Sequence, residues 1–186
     1  WHAPDPRMVL TPTELVVNRS LKKAIRRQPY RLTIDVAFAD VLAACAEVPR
    51  PGQDGTWIIP AMIDAYRELH ARGFAHSFEA WDGDQLVGGL YGVGIGRMFY
   101  GESMFAHRTD ASKIALAALV AFCRREGVQH IDCQQNTRHL ASFGAGEVPR
   151  ATFEQLLQEG RLGAELWGGP WTDVGTPERL AQLNTP

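Results

Sequence analysis

Gly101-Glu102-Ser103-Met104-Phe105 and Ile131-Asp132-Cys133-Gln134 bracket a stretch that opens Asp110-Ala111-Ser112-Lys113 and runs Ala/Leu-rich to about Arg125. Each acidic motif reads as the end of a strand, and the stretch between them as a helix. A strand–helix–strand unit of this kind brings Glu102 and Asp132 into one cleft. Apolar neighbours there suit recognition of something partly apolar. The pair therefore reads as an active site rather than a solvated surface.

Working outward, Asp110 is placed to cap the central helix and Gly127 to end it. Val128 to Cys133 is the next strand, followed by a loop with some turn over 134–150. Ala151 to Glu159 is a short helix with Phe153, Leu156 and Leu157 facing inward. Upstream, Ala75 to Trp81 alternates, Asp82-Gly83-Asp84 is a turn signal, and Gln85 to Gly92 returns as the second arm of a hairpin. Arg97 to Gly101 forms another strand. Gly88, Gly89, Gly92, Gly94 and Gly96 do not spell a nucleotide-binding loop; bulges or close backbone approach explain them better. Earlier still, Trp57 to Ala71 reads as a helix, 49–55 as a loop, Phe38 to Ala46 as a short helix and Arg31 to Asp35 as a strand. Val9-Leu10 and Leu15-Val16-Val17 are short extended pieces.

Residues 18–28 hold the main charge anomaly. Arg19, Lys22, Lys23, Arg26 and Arg27 recur at helical spacing with no acidic residue between them. Asn18 or Ser20 caps the start and Pro29 forces the end. Two readings stand: a solvated helix face, or a phosphate-contacting patch, which needs local rather than global positive charge.

Bulk numbers bound the rest. The 186 residues suffice for one substantial core, and 45% hydrophobic with 22% charged content is that of an ordinary globular protein. A net charge of -2 carries no global nucleic-acid signal. No apolar run of about 18 residues predicts a transmembrane helix, and no signal-peptide pattern is visible. Cys45, Cys123 and Cys133 make an odd count without CxxC spacing, which argues against a disulfide framework or structural zinc. A reducing cytoplasm is expected. The histidines are scattered without an HxxxH pair, so metal catalysis is not expected.

The order helix, hairpin, strand, helix, strand predicts an α+β fold with a mostly antiparallel sheet flanked by helices. This matches the acyl-CoA N-acyltransferase (GNAT)-like architecture, although topology alone does not give function. N-acetyltransferases hold a pyrophosphate on backbone N–H groups of a glycine-containing loop at the central helix. Here that loop is His107-Arg108-Thr109-Asp110-Ala111-Ser112. It lacks glycine, and Asp110 would repel a pyrophosphate, so acetyl-CoA is not the expected donor. The expected division is an N-terminal extended segment and basic helix over 1–30, a catalytic domain over 31–172 and an irregular tail over 173–186.

Several motifs in one order carry a resemblance. They are Trp1-x-Ala3-Pro4-Asp5-Pro6-Arg7, Gly55-Thr56-Trp57-Ile58, the Glu102 motif, Ala111-Ser112-Lys113, the Asp132 motif, Leu140-Ala141-Ser142-Phe143-Gly144-Ala145 and Glu147-Val148-Pro149-Arg150. Together they resemble the leucyl/phenylalanyl-tRNA–protein transferases, from Trp1 to about Trp171. Family members carry a further N-terminal segment before the first motif, with aromatics that help form the site. The expectation is therefore a trimmed or naturally short form of the catalytic domain.

The resemblance implies movement of Leu, Phe or Met from an aminoacyl-tRNA to the N-terminal Arg or Lys of a protein, marking it for N-end rule degradation. No metal or coenzyme is implied. Asp132 matches the family's acid, placed to orient or deprotonate the attacking amine, and Gln134 its hydrogen-bonding neighbour. Glu102 matches a glutamate near the substrate. Leu90, Phe99, Met104 and Leu119 are the candidates for the donor side-chain slot, with Leu119 and Cys123 standing where aromatics are expected. Trp57 and Tyr66 match aromatics near the terminal adenine, and the basic helix suits acceptor-stem phosphates. Each has a plainer alternative: a loop cap for Asp132, an internal salt bridge for Glu102, plain core for the apolar set and the aromatics. Two rival functions remain: another acyltransferase on the same fold, and a non-catalytic tRNA- or N-degron-binding module.

Overall fold

The computed structural model describes residues 4–27, 30–49 and 55–161. Seven strands form one sheet in the order β2-β3-β4-β5-β6-β1-β7. They are β1 (Arg7–Leu10), β2 (Arg31–Ile34), β3 (Ala75–Asp82), β4 (Gln85–Ile95), β5 (Met98–Ala106), β6 (His130–Gln134) and β7 (Gly146–Val148). The helices are α1 (Arg19–Arg27), α2 (Phe38–Glu47), α3 (Pro60–Ala71), α4 (Ala111–Glu126), α5 (Arg138–Ala141) and α6 (Arg150–Arg161). The fold is thus α+β, with a mostly antiparallel sheet flanked by helices. The parallel pair is β5 and β6, joined by the crossover helix α4, as a strand–helix–strand unit requires.

The two faces of the sheet are told apart by neighbouring glycines of β4. A Cβ on Gly88 would lie 2.5 Å from Ala111 of α4, whereas one on Gly89 would lie 3.3 Å from Val41 of α2. Side chains alternate across a strand, so α4 covers one face and α2 the other. On the α4 face, Ile34, Phe78, Leu90, Phe99 and Ile131 pack under Leu116, Leu119, Val120 and Phe122, with α1 adding Leu21 and Ile25. On the opposite face Ala75, Tyr91, Val93 and Phe105 pack under Phe38, Val41, Leu42 and Tyr66. Phe153 of α6 covers Val9 and Met98.

Several sequence expectations hold. Asn18 caps α1, its Oδ1 accepting from the Leu21 N–H at 2.9 Å, while α1 ends at Arg27. Pro29, expected to stop it, and Trp1 lie outside the described residues, as does the 173–186 tail. The hairpin turn falls at Gly83-Asp84, between the paired Asp82 and Gln85. Other expectations are corrected. The third helix starts at Pro60 and not at Trp57, because a residue before proline is kept out of the helical region and proline suits the first helical turn. Asp110 does not cap α4 with its side chain; its backbone is left-handed and its carboxylate takes Lys113 Nζ at 2.6 Å. The 134–150 stretch contains α5 and β7. β7 has three residues and no alternation to read; it exists because β1 offers it an edge. β1 itself comes from the segment before residue 31 yet lies between β6 and β7 in the same sheet. Finally, β5 runs past Gly101 to Ala106 through a bulge.

Close packing of β4 on β5 gives one test. A Cβ on Gly92 would collide with the Tyr100 carbonyl oxygen and the Phe99 ring. Backbone cannot yield as a flexible side-chain tip does, so Gly92→Ala is expected to destabilise the fold by about 3 kcal/mol, the upper end for overpacking. Gly146→Ala, with nothing within 4 Å of its Cβ, should be near neutral in the same urea titration.

Candidate active site

The β5–β6 ladder is short. It pairs Met98 with His130, Phe99 with Ile131 and Tyr100 with Asp132, and then stops. Beyond that point β5 stays with β4 as far as Ala106, and β6 stays with β1 as far as Gln134. The sheet is forked there, and Glu102 and Gln134 stand at the fork. Two backbone features aim them. In β5, Gly101 pairs with Gly92 and Ser103 with Tyr91, leaving Glu102 as the extra residue of a bulge. In β6, Gln134 takes φ 62, a left-handed conformation uncommon outside glycine.

The side chains form one connected network. Gln134 Nε2 donates to the Gly101 carbonyl at 3.0 Å and to Glu102 Oε2 at 3.1 Å. The Tyr66 hydroxyl of α3 donates to the same Glu102 carboxylate. The Gln134 N–H donates to Asp132 Oδ1 at 2.9 Å. Asp132 is 0% exposed and is gripped by Arg7 of β1, with Nε 3.0 Å from Oδ1 and Nη2 2.6 Å from Oδ2. The Arg7 guanidinium in turn lies 5.0 Å from the Phe153 ring centroid. Paired contact of this kind is the strong form of the carboxylate–guanidinium bond.

Burial raises the Glu102 carboxyl above the usual carboxylate range. Its hydrogen bonds from Tyr66 and Gln134 oppose that shift, Asp132 adds to it and Arg7 opposes it. The Tyr66 hydroxyl is pushed far up by burial and by Glu102, so it remains a proton donor. The Cys133 thiol is pushed up to about 12 by burial first and Asp132 second, which leaves it protonated and unreactive at neutral pH.

The apolar set lies on the α4 side of the fork. Leu90, Phe99 and Leu119 are buried in one cluster, and Met104 and Cys133 are its partly buried members, on the two strands that part. Cys123, where an aromatic is expected, is buried in that cluster too. Trp57 stands ahead of α3 and is 39% exposed. Tyr66 is 7% exposed, with its ring edge-on to Tyr91 at 5.1 Å. Arg19, Lys22, Lys23, Arg26 and Arg27 are all exposed on α1, whose Leu21, Ala24 and Ile25 face inward. The fork thus joins Asp132, Gln134, Glu102 and Tyr66, with the apolar set and the basic helix on the α4 face of the sheet. Arg7 and Phe153 were not singled out from sequence. Arg7 was legible only as the last residue of a motif; its partner is 125 positions away.

A sequence profile described as leucyl/phenylalanyl-tRNA protein transferase matches residues 9–158. The chain belongs to this family. A leucyl/phenylalanyl-tRNA–protein transferase of Anaeromyxobacter sp. (strain Fw109-5) is 60% identical over 182 residues, covering 97% of this chain and 76% of the relative. One of Leptothrix cholodnii is 60% identical over 162 residues, covering 85% and 63%, and one of Ralstonia pickettii is 58% identical over 163, covering 86% and 66%. The chain therefore spans roughly two thirds to three quarters of these transferase-family relatives. A solved structure, a functionally unknown conserved protein from Staphylococcus epidermidis, aligns with 72% of this chain and 65% of its own at a TM-score of 0.39 and 10% identity; so weak a likeness carries no argument.

Tyr66 tunes Glu102 in this family member, and that can be measured. Tyr66→Phe removes a donor that favours the charged carboxylate, so the Glu102 midpoint should move further up in an NMR titration of carboxyl-labelled glutamate. The sign for stability follows. A carboxyl raised by folding contributes stability below its unfolded pKa and loses that contribution as pH rises through the folded value. Tyr66→Phe should extend that loss to higher pH, and an unmoved Glu102 midpoint would contradict the hydrogen bond.

Proposed function

We propose that the chain moves Leu, Phe or Met from aminoacyl-tRNA to the N-terminal Arg or Lys of a protein, marking it for N-end rule degradation. The observation that carries this is the polar network at the fork, in a member of this family, on the two strands that also give Met104 and Cys133 to the apolar cluster. The reaction is aminolysis of an ester. The acceptor amine attacks the ester carbonyl, the amide C–N bond forms, the C–O bond to the ribose breaks, and the proton shed by the amine ends on the departing ribose oxygen. No electron is gained or lost, so no coenzyme is called for.

The attacking amine, with an ordinary pKa near ~8, must be neutral and aimed. Gln134 is suited to aim it: with Nε2 donating to Gly101 and Glu102, Oε1 is the acceptor turned to an incoming amine. Glu102, held by Tyr66 and Gln134, is suited to the donor's amino group or the terminal ribose. Leu90, Phe99, Met104 and Leu119 would form the donor slot, entered past Met104 and Cys133. Trp57 would stack the terminal adenine, an interaction worth roughly 1–3 kcal/mol per base. The exposed α1 cations would take acceptor-stem phosphates, a contact blind to sequence. The fork between parallel β5 and β6 supports a GNAT-like architecture. No helix among the described residues is long and apolar enough to cross a membrane; the location we propose is cytoplasmic, where charged tRNA is made.

The test is transfer of labelled Leu, Phe or Met from charged tRNA to a peptide beginning with Arg, against one beginning with Glu. Transfer to the Arg peptide alone is expected, and Gln134→Ala should lower it about 10²-fold, the cost of losing one aiming contact. Binding of charged tRNA without transfer would favour the non-catalytic binding module. Absence of both binding and transfer would overturn the proposal.

The basic helix has its own readout. Lys22→Glu with Lys23→Glu should weaken tRNA binding and flatten the log affinity–log salt slope by about one to two units, as expected for two lost phosphate contacts. An unchanged slope would make α1 a merely solvated face.

A further inference from the structure

We propose that Arg7 is a positioning residue for the transfer: by gripping Asp132 it makes that carboxylate a fixed acceptor, which holds the Gln134 backbone in the conformation that aims its side chain. The proposal rests on the transferase reading of the fork. The side-chain hydrogen bonds of Arg7 go to Asp132, and through that carboxylate it acts.

Three observations carry it. First, both Asp132 oxygens are engaged by protein groups. Oδ1 accepts from Arg7 Nε and the Gln134 N–H, and Oδ2 from Arg7 Nη2. With 0% exposure, Asp132 has no open side from which to collect a proton from an amine. It is built to hold, not to deprotonate. Second, the bond from the Gln134 N–H falls where the backbone turns left-handed, at φ 62. A non-glycine residue keeps that conformation only where its surroundings impose it. Third, Arg7 is itself fixed, by its place in β1 between β6 and β7 and by the Phe153 ring.

A comparison within the molecule shows what the cation contributes. Glu79 is also fully buried, but its partners are the Ser77 and Thr33 hydroxyls and the Ala37 N–H. Burial drives its carboxyl up. Without Arg7, Asp132 would likewise have only neutral donors in a buried site; the carboxylate that accepts from the Gln134 N–H would be held less firmly, and the turn would relax.

The experiment compares the wild type with Arg7→Met, Arg7→Lys, Asp132→Asn and the Arg7→Met/Asp132→Asn pair. Arg7→Met should lower kcat about 10²-fold while KM for the Arg peptide and affinity for charged tRNA stay within about threefold. Arg7→Lys keeps the charge but loses the fork, and should recover part of the loss. Losses in the pair should not multiply, because both changes break one linkage. Gln134 amide hydrogen exchange should be at least about tenfold faster in Arg7→Met than in the wild type. Wild-type kcat in either Arg7 variant, multiplying losses, or unchanged exchange at Gln134 would overturn the proposal. If Arg7→Met does not fold, Arg7→Lys decides by the same split between kcat and KM. If the wild type itself transfers nothing, the transferase reading falls, and the exchange measurement still decides whether Arg7 fixes Gln134.

Discussion

The end of the β5–β6 ladder after Tyr100 and Asp132 is the constraint on which the rest of this molecule turns. Up to that pair the sheet is continuous, and its two halves share hydrogen bonds. Past it, β5 belongs to the half made with β4, and β6 to the half made with β1. Backbone groups that lose strand partners inside a protein must find others. Gln134 supplies one by donating to the Gly101 carbonyl across the gap. The fork is therefore a place where strand pairing is replaced by side-chain chemistry. Polar side chains there are obligatory, and the cluster roofed by α4 places an apolar surface next to them.

Stability and function meet in the same network. Taking a carboxylate out of water is expensive unless a cation and hydrogen bonds accompany it. Asp132 receives both from Arg7 and the Gln134 N–H. Losing one member of such a buried pair typically costs about 3–5 kcal/mol, because the survivor is left charged and dry. Glu102 is treated differently. It has neutral donors, Tyr66 and Gln134, and Arg7 only at a distance, so burial raises it. Two acids one network apart are thus held in different electrostatic environments. One serves as a fixed anchor. The other stands at the fork, held by neutral donors.

The sequence made much of this visible, and the reasons are local. The Asp82-Gly83-Asp84 turn signal between two strand-like runs marks a hairpin, although β3 proves to be buried on both faces from Ala75 to Ala80. The basic spacing from Arg19 to Arg27 marks α1, since Leu21, Ala24 and Ile25 between the cations are apolar and face inward. The flanking of one helix by Glu102 and Asp132 marks a strand–helix–strand unit, although Glu102 lies inside β5 and not at its end. What stayed hidden was non-local. Nothing in Gly146-Glu147-Val148 announces a strand, because three residues acquire that state only by pairing with β1. Asp110 is a local exception: Lys113, three residues on, claims its carboxylate in place of the helix N–H groups. Nothing around Glu102 shows the bulge, which is a mismatch between two strands and a property of neither alone.

By itself, then, the chain determined its element types, its inward and outward faces, its α+β class and, through several motifs in one order, its family. These depend on residue spacing, steric preference and burial, which act over a few positions. Only the tertiary structure decided that β1 is driven between β6 and β7, that Arg7 closes on Asp132, and that Glu102 and Gln134 meet across a split sheet. Those pairings join residues about a hundred or more positions apart or depend on where a ladder stops. They are set by how strands and helices pack together, and no local pattern encodes that geometry.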